Sequence, residues 1–370
     1  MNKTIEQIDP NFQRREIGGR QLNFINALQP PFELSGFGWY RQEQQLCRLP
    51  KNVMARSSPA LQYLAWNTSG GMIRFRTDSP QIAVRAELRD PADMNHMPRN
   101  GSAGFDLYLG AGPGKQYLKS VMPDSGALRV EALPADNLSP DAMREWTLYL
   151  PLYGGVKHLE IGLAPDARLE APSPFALPLP LGFYGSSITQ GGCASRTGNA
   201  YTNMLAREFD APLYNWGFSG NGFGEPMVAE AIAELPMAAF VLDYDHNAPS
   251  ADHLAATHEP FFRLIRARQP NLPVIMISKP DFAATPEGRN RQAIIRRTWQ
   301  HAVDAGDRHV DFIDGETLFG NDHRDACTVD TSHPNDLGFF RMFQTIAPVL
   351  RRALEKAGVT AGGDAASSRR

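Results

Sequence analysis

The chain has 370 residues, 42% of them hydrophobic and 21% charged, with a formal net charge of -3. That length exceeds the roughly 150 residues of a typical domain and implies about two cores, while near-average composition excludes a disordered or fibrous chain. The slight negative charge gives no general attraction to phosphate backbones or anionic lipid, so neither nucleic acid nor a membrane is an expected partner.

Residues 1–30 read as a polar N-terminal segment without the apolar run of a secretory signal. No stretch of the chain approaches about 18 apolar residues, and a cytoplasmic location is expected. From 31 to 170 the pattern has period two. Ile82, Val84, Ala86 and Leu88 alternate with Arg85, Glu87 and Arg89, and similar runs surround Ile73 and Phe75, Phe105 to Leu109, and Trp146 to Leu150. Such half-buried strands, separated by Gly, Pro, Asn and Asp clusters, predict an antiparallel, jelly-roll-like β-sandwich. The Pro- and Ala-rich residues 171–180 read as a linker.

From 181 to 356 short apolar runs alternate with amphipathic ones. Strands are expected at Leu181 to Gly185, Pro212 to Trp216, Ala238 to Asp243, Pro273 to Ser278 and His309 to Ile313. Helical faces carry Tyr201, Leu205 and Phe209, then Ile294, Trp299 and Val303, then Leu337, Phe340, Ile346 and Leu350. Repeated βα units predict a five-stranded, doubly wound parallel sheet, whose ligands bind at the carboxyl ends of the strands. Residues 357–370 are small and polar and read as a flexible tail.

Four of those strand ends carry chemistry. After the first, Gly185-Ser186-Ser187-Ile188-Thr189 lifts a hydroxyl off a buried strand. After the second, Asn215 to Gly222 is rich enough in glycine for backbone amides to approach a ligand. After the third, Asp243-Tyr244-Asp245-His246-Asn247 offers a side-chain amide, and after the fifth come Asp330 and His333. A serine hydroxyl needs an imidazole to take its proton, and the imidazole needs a partner to fix its tautomer. Singly, each segment reads as an ordinary turn or helix cap. Together, at one sheet edge, they point to acyl transfer.

Three cysteines, Cys47, Cys193 and Cys327, form no CxxC pair, which excludes a zinc-finger type of site. Cys193 and Cys327 stand six residues from Ser187 and His333, on loops that must converge, so a bridge is one reading and two separate thiols the other. Asp243, Asp245, His246, Asp252, His253 and His258 are metal-ligating types, but His253 and His258 lie about 140° apart around a helix. No metal and no cofactor is expected. The basic run Arg289 to Arg297 is interrupted by Ala293, Ile294 and Ile295 and reads as a solvated helix face.

The blocks at the strand ends resemble those of the SGNH, or GDSL, hydrolases. Gly185 to Thr189 is similar to their GDSIT block, Asn215 to Gly220 to their glycine block, Asn247 to their asparagine block, and Asp330 with His333 to their DxxH block. The resemblance implies a flavodoxin-like catalytic domain with Ser187 as nucleophile, His333 as base and Asp330 as its orienter. It also implies an oxyanion hole of the Ser187 and Gly220 amides with the Asn247 side chain. Ser186 stands where the family has Asp, and Asp245 where it has Gly. Gly104-Phe105-Asp106-Leu107-Tyr108 resembles the GxDLY signature of the N-terminal domain attached to some of these esterases, which suggests Asp106 and Tyr108 as substrate-binding residues. The expected activity is hydrolysis of short acyl, above all acetyl, esters, with a carbohydrate as one candidate carrier. A thioesterase or lipase of the same fold and a non-catalytic carbohydrate-binding protein are the alternatives.

Overall fold

The computed structural model describes residues 13–280 and 285–359. Most of the expected tail and residues 1–12 of the N-terminal segment lie outside them. The first half contains β1 (Gln13–Ile17), β2 (Arg20–Asn26), β3 (Glu33–Ser35), β4 (Met72–Thr77), β5 (Ile82–Leu88) and β6 (Phe105–Leu109). β7 (Gln116–Val121), β8 (Arg129–Ala135), β9 (Arg144–Tyr149), β10 (Val156–Leu163) and β11 (Leu169–Glu170) follow. One antiparallel sheet runs β1-β2-β10-β5-β8 and the other β11-β4-β9-β6-β7, with β3 beside β4. Alternation along β5 is as expected, with Ile82, Val84, Ala86 and Leu88 buried and Arg85 and Glu87 half-buried.

The expected start of the sandwich at residue 31 is too late. β1 and β2 form a hairpin closed by Gly18 and Gly19, both at positive φ, as a two-residue hairpin turn requires. β2 then pairs with β10 and buries Leu22 and Phe24. Four short helices sit among the strands: α1 (Tyr40–Glu43), α2 (Lys51–Met54), α3 (Pro59–Ala65) and α4 (Arg99–Ser102).

The second half is a parallel sheet of β12 (Leu181–Gly185), β13 (Leu213–Gly217), β14 (Ala239–Asp243), β15 (Val274–Ile277) and β16 (Val310–Ile313), in the order β13-β12-β14-β15-β16. All five fall on the apolar runs expected for them. The helices are α5 (Ser187–Gln190), α6 (Tyr201–Glu208), α7 (Pro226–Ala233), α8 (Ala251–Arg268), α9 (Pro286–Asp304) and α10 (Asp336–Lys356). α7, α8 and α9 pack in series while α6 packs on α10, which gives the two helical layers of a doubly wound sheet. The chain reverses direction across the sheet between β12 and β14, and ligands of such folds bind at that switch point.

Two helical faces differ from expectation. In α10 the buried stripe is Phe339, Met342, Ile346, Leu350 and Leu354, while Leu337 and Phe340 are exposed. In α9 it is Ile294, Ile295, Thr298 and Ala302, with Val303 exposed. A mixed sequence offers several stripes at helical spacing, and packing against the sheet selects one.

The apolar core does not stop at the linker. One cluster joins Phe75, Trp146 and Leu150 of the sandwich to Phe183, Ile188 and Tyr201, and a second joins Leu49, Leu61 and Leu64 to Tyr184, Trp216 and Phe218. The two halves are therefore packed as one body around the carboxyl end of β12.

Candidate active site

Ser187 opens α5 directly after β12. The preceding Ser186 caps that helix by accepting from the Ile188 N–H at 3.1 Å. The turn leaves no spare volume, because a Cβ at Gly185 would stand 2.2 Å from the Asp243 carbonyl oxygen. Gln190, at the end of α5, donates to Asn67 Oδ1 at 2.8 Å and to the Leu152 carbonyl at 3.1 Å, and its own carbonyl accepts from Ser69 at 2.7 Å. Three groups of the sandwich thus fix the helix that carries Ser187.

Ser187 Oγ lies 2.9 Å from His333 Nε2. On the far side of the ring Nδ1 is 2.7 Å from Asp330 Oδ2, while Asp330 Oδ1 accepts from the backbone N–H of His333 at 2.7 Å and of Ser332 at 3.0 Å. Partial burial raises the Asp330 carboxyl, but the His333 and Ser332 bonds outweigh it and bring it down to about 2. It is a carboxylate at any ordinary pH. The turn that makes this possible places Thr331 at φ 69°, so that the chain doubles back and carboxylate and imidazole meet three residues apart.

Asn247 is reached through a short 3₁₀ turn after β14. Its Oδ1 accepts from the Gly222 N–H at 3.2 Å, which turns the Nδ2 amine away from that loop. Gly222 is required there, since a Cβ would meet the Gly185 carbonyl oxygen at 2.4 Å. Gly220, at φ 68°, has open space above it. Asp245, in the place of the family glycine, points away from the site: its Oδ2 accepts from the Lys279 N–H at 2.9 Å and its Oδ1 faces Arg291 at 3.5 Å. Arg291 also donates to the carbonyls of Asp245 and Ala248, each at 3.0 Å, and so brackets Asn247 on both sides.

Asp106 and Tyr108 are not where a substrate-binding pair would be. Asp106 is wholly buried, and its oxygens accept from Ser120 Oγ, the Gly198 N–H and Arg196. Burial pushes its carboxyl up in spite of those bonds. Tyr108 accepts from Arg196. The GxDLY segment therefore grips the Arg196–Gly198 loop that follows the helix carrying Ser187, and it joins the domains rather than facing a ligand. Asp336, at the start of α10, holds the same loop through Ser195 and Asn199.

The cysteines are free, buried thiols. Among the acidic and histidine residues at and after the end of β14, Asp243 accepts from Tyr201 and Thr189, His253 Nε2 bonds the Phe223 carbonyl, and His258 bonds Thr298. A different trio, His96, Cys193 and His333, brings donor atoms within 4.8 Å of one another. His333 already uses both ring nitrogens, so a cation there would displace Ser187. His96 reaches this point from the sandwich, its ring 5.8 Å from that of His333. Neither it nor Arg291 carries a sequence signal, because each acts across a long separation in the chain.

The fold and this site define a carboxylic ester hydrolase. The chain belongs to the GDSL-like lipase/acylhydrolase family, whose model matches residues 179–351; residues 22–169 match the GxDLY domain, the N-terminus of SGNH-hydrolase-type esterases. A protein from Bacteroides ovatus described as a GDSL-like lipase is 30% identical, with a TM-score of 0.81 over 90% of this chain and 98% of its own. The salicylyl-acyltransferase SsfX3 of a tetracycline biosynthetic pathway shares the fold at 21% identity and a TM-score of 0.73, over 91% and 98% of the two chains. So does an acetyl xylan esterase, Est2A, of Butyrivibrio proteoclasticus, at 15% identity and 0.61, over 90% and 99%. No curated protein matches the chain.

Proposed function

We propose that the protein hydrolyses short acyl, above all acetyl, esters carried on a carbohydrate, through an acyl-enzyme on Ser187. The observation that carries this reading is the unbroken line from Ser187 Oγ through His333 to Asp330, with contacts of 2.9 and 2.7 Å. His333 Nε2 takes the hydroxyl proton as Ser187 Oγ bonds to the acyl carbon, and the carbonyl electrons move onto oxygen. The N–H groups of Ser187 and Gly220 and the Asn247 amine receive that oxyanion. As the tetrahedral species collapses, the alcohol leaves with the proton from His333. Water then repeats the sequence on the acyl-enzyme. The carbohydrate part is supported by the fold shared with an acetyl xylan esterase and with a family two carbohydrate esterase of Clostridium thermocellum, whose structure holds cellohexaose.

Ser187→Ala should lower kcat on p-nitrophenyl acetate by at least about 10³-fold, with an unchanged melting curve. Ser186→Ala, which removes only a helix cap, should do far less. Activity within about tenfold of wild type in Ser187→Ala would refute the nucleophile assignment.

A further inference from the structure

Beside the proposed catalytic serine lies a cavity of about 360 Å³ that the mechanism above does not use. One wall is sandwich: α3 supplies Tyr63 and Leu64, and the segment after β5 supplies Asp90 and Met94. The other wall is Ser219 and Asn221, on either side of Gly220, with Tyr153 between. Tyr153 brings this cavity to the reacting centre, because a Cβ at Gly192 would meet both the Tyr153 hydroxyl at 2.8 Å and the Ser187 carbonyl oxygen at 3.0 Å. The volume falls in the range of small-molecule sites, and an acetyl group would leave most of it empty.

We propose that this cavity is the subsite for the alcohol part of the ester and that it takes a hydroxyl-bearing ring, a sugar residue. The inference rests on the serine-esterase reading and adds the residues that select the substrate. Tyr63 is 54% exposed, a ring face free to stack on the C–H face of a sugar. Asp90 lines the same cavity, and burial, then the Asp90 carboxylate and its hydrogen bond with the Tyr63 hydroxyl, raise that hydroxyl to about 12. One Asp90 oxygen holds the Ala92 N–H at 2.7 Å, and the carboxylate has further lone pairs for sugar hydroxyls. Leu64, Ala92 and Met94 supply apolar floor. A long acyl chain in the same place would strip water from Asp90 without replacing its hydrogen bonds, which disfavours it.

The test compares wild type, Tyr63→Ala and Asp90→Asn on p-nitrophenyl acetate, p-nitrophenyl octanoate, acetylcholine and an acetylated methyl xyloside. None of these substitutions touches Ser187, His333 or Asp330. Tyr63→Ala should raise KM for the xyloside ester up to about tenfold, the value of 1.4 kcal/mol of lost stacking, with little change in kcat. Asp90→Asn should act in the same direction. Equal KM values on the xyloside ester overturn the inference, as does a loss confined to the octanoate, which would make this an acyl pocket. Acetylcholine as the preferred ester, with turnover lost in Asp90→Asn, would overturn it in favour of a cationic alcohol. A wild type that cleaves p-nitrophenyl acetate but no acetylated sugar sinks this inference and leaves the serine-esterase reading standing; only an active Ser187→Ala sinks the latter.

Discussion

Replacing Arg291 with Met tests how Asn247, the proposed oxyanion donor, is held. The guanidinium is 13% exposed, Asp245 1%, and the two carbonyls it binds flank Asn247. The substitution removes two bonds to carbonyls, about 1 kcal/mol each net. It also leaves the buried Asp245 carboxylate without its cation and held by the Lys279 N–H. Stripping one partner from a buried pair costs about 3–5 kcal/mol, although Asp245 can limit this by taking up a proton, which costs no more than about 4 kcal/mol at pH 7. The urea midpoint should fall by an amount equivalent to roughly 3 kcal/mol. Asp245→Asn in the Arg291→Met background should recover part of this. The kinetic effect is bounded by the worth of an oxyanion donor, about 10²- to 10³-fold in kcat, and partial displacement of Asn247 should cost about 10- to 100-fold with little change in KM. Added to Asn247→Ala, the Arg291 substitution should cost little more, since the group it positions is gone. Full kcat in a folded Arg291→Met protein, or effects that multiply in the double variant, would show that Arg291 braces the fold and nothing else.

Asp243 ends β14 fully enclosed, and burial raises its carboxyl to about 7 although Tyr201 and Thr189 donate to it. Its unfolded value is about 3.9, so the folded state holds the proton more tightly, and the stabilisation is complete below about pH 4 and lost as pH rises through about 7. Between pH 5 and 8 wild type should lose roughly 2–3 kcal/mol more stability than Asp243→Asn, read from urea midpoints at the two values; parallel profiles would refute the assignment. Asp106→Ala should lower the melting temperature sharply, because Arg196 and the Gly198 N–H lose a buried partner, and should affect every substrate alike. A KM effect confined to a sugar ester would return Asp106 to the substrate site.

Much of this was readable in the sequence because it is local. The five parallel strands are apolar runs bounded by turn residues, and Ser187, Asp330 and His333 sit in short segments whose chemistry implies one another. Asp245, in the place of the family glycine, turns its carboxylate toward Lys279 and Arg291. The β1–β2 hairpin was missed although Leu22 and Phe24 alternate behind Gly18 and Gly19, since the polar run before them hides the pattern. The role of Asp106 was misread for a different reason. Its partner Arg196 lies 90 residues away, and a strand that is buried on both faces gives no periodic sign of what one carboxylate touches.

Contacts over such separations pack the sandwich into the candidate site rather than leaving it an appendage. Arg48 is 1% exposed and donates to the carbonyls of Asn215 at 3.0 Å and Gly217 at 2.6 Å, at the end of the strand that leads into Ser219 and Gly220. It packs over Phe218 at 4.8 Å. Burial lowers its guanidinium to about 9, the mark of a cation taken out of water with neutral carbonyl acceptors and no carboxylate among its hydrogen bonds. Such an arrangement is a poor source of stability, because desolvation offsets most of what the bonds contribute. What it does achieve is geometric. With Asn67 and Ser69 on the helix of Ser187 and Arg48 on the glycine loop, the sandwich fixes Ser187 and Gly220 relative to each other, and the proposed site, which must hold its donors to within about 0.5 Å, needs such support from outside its own loops.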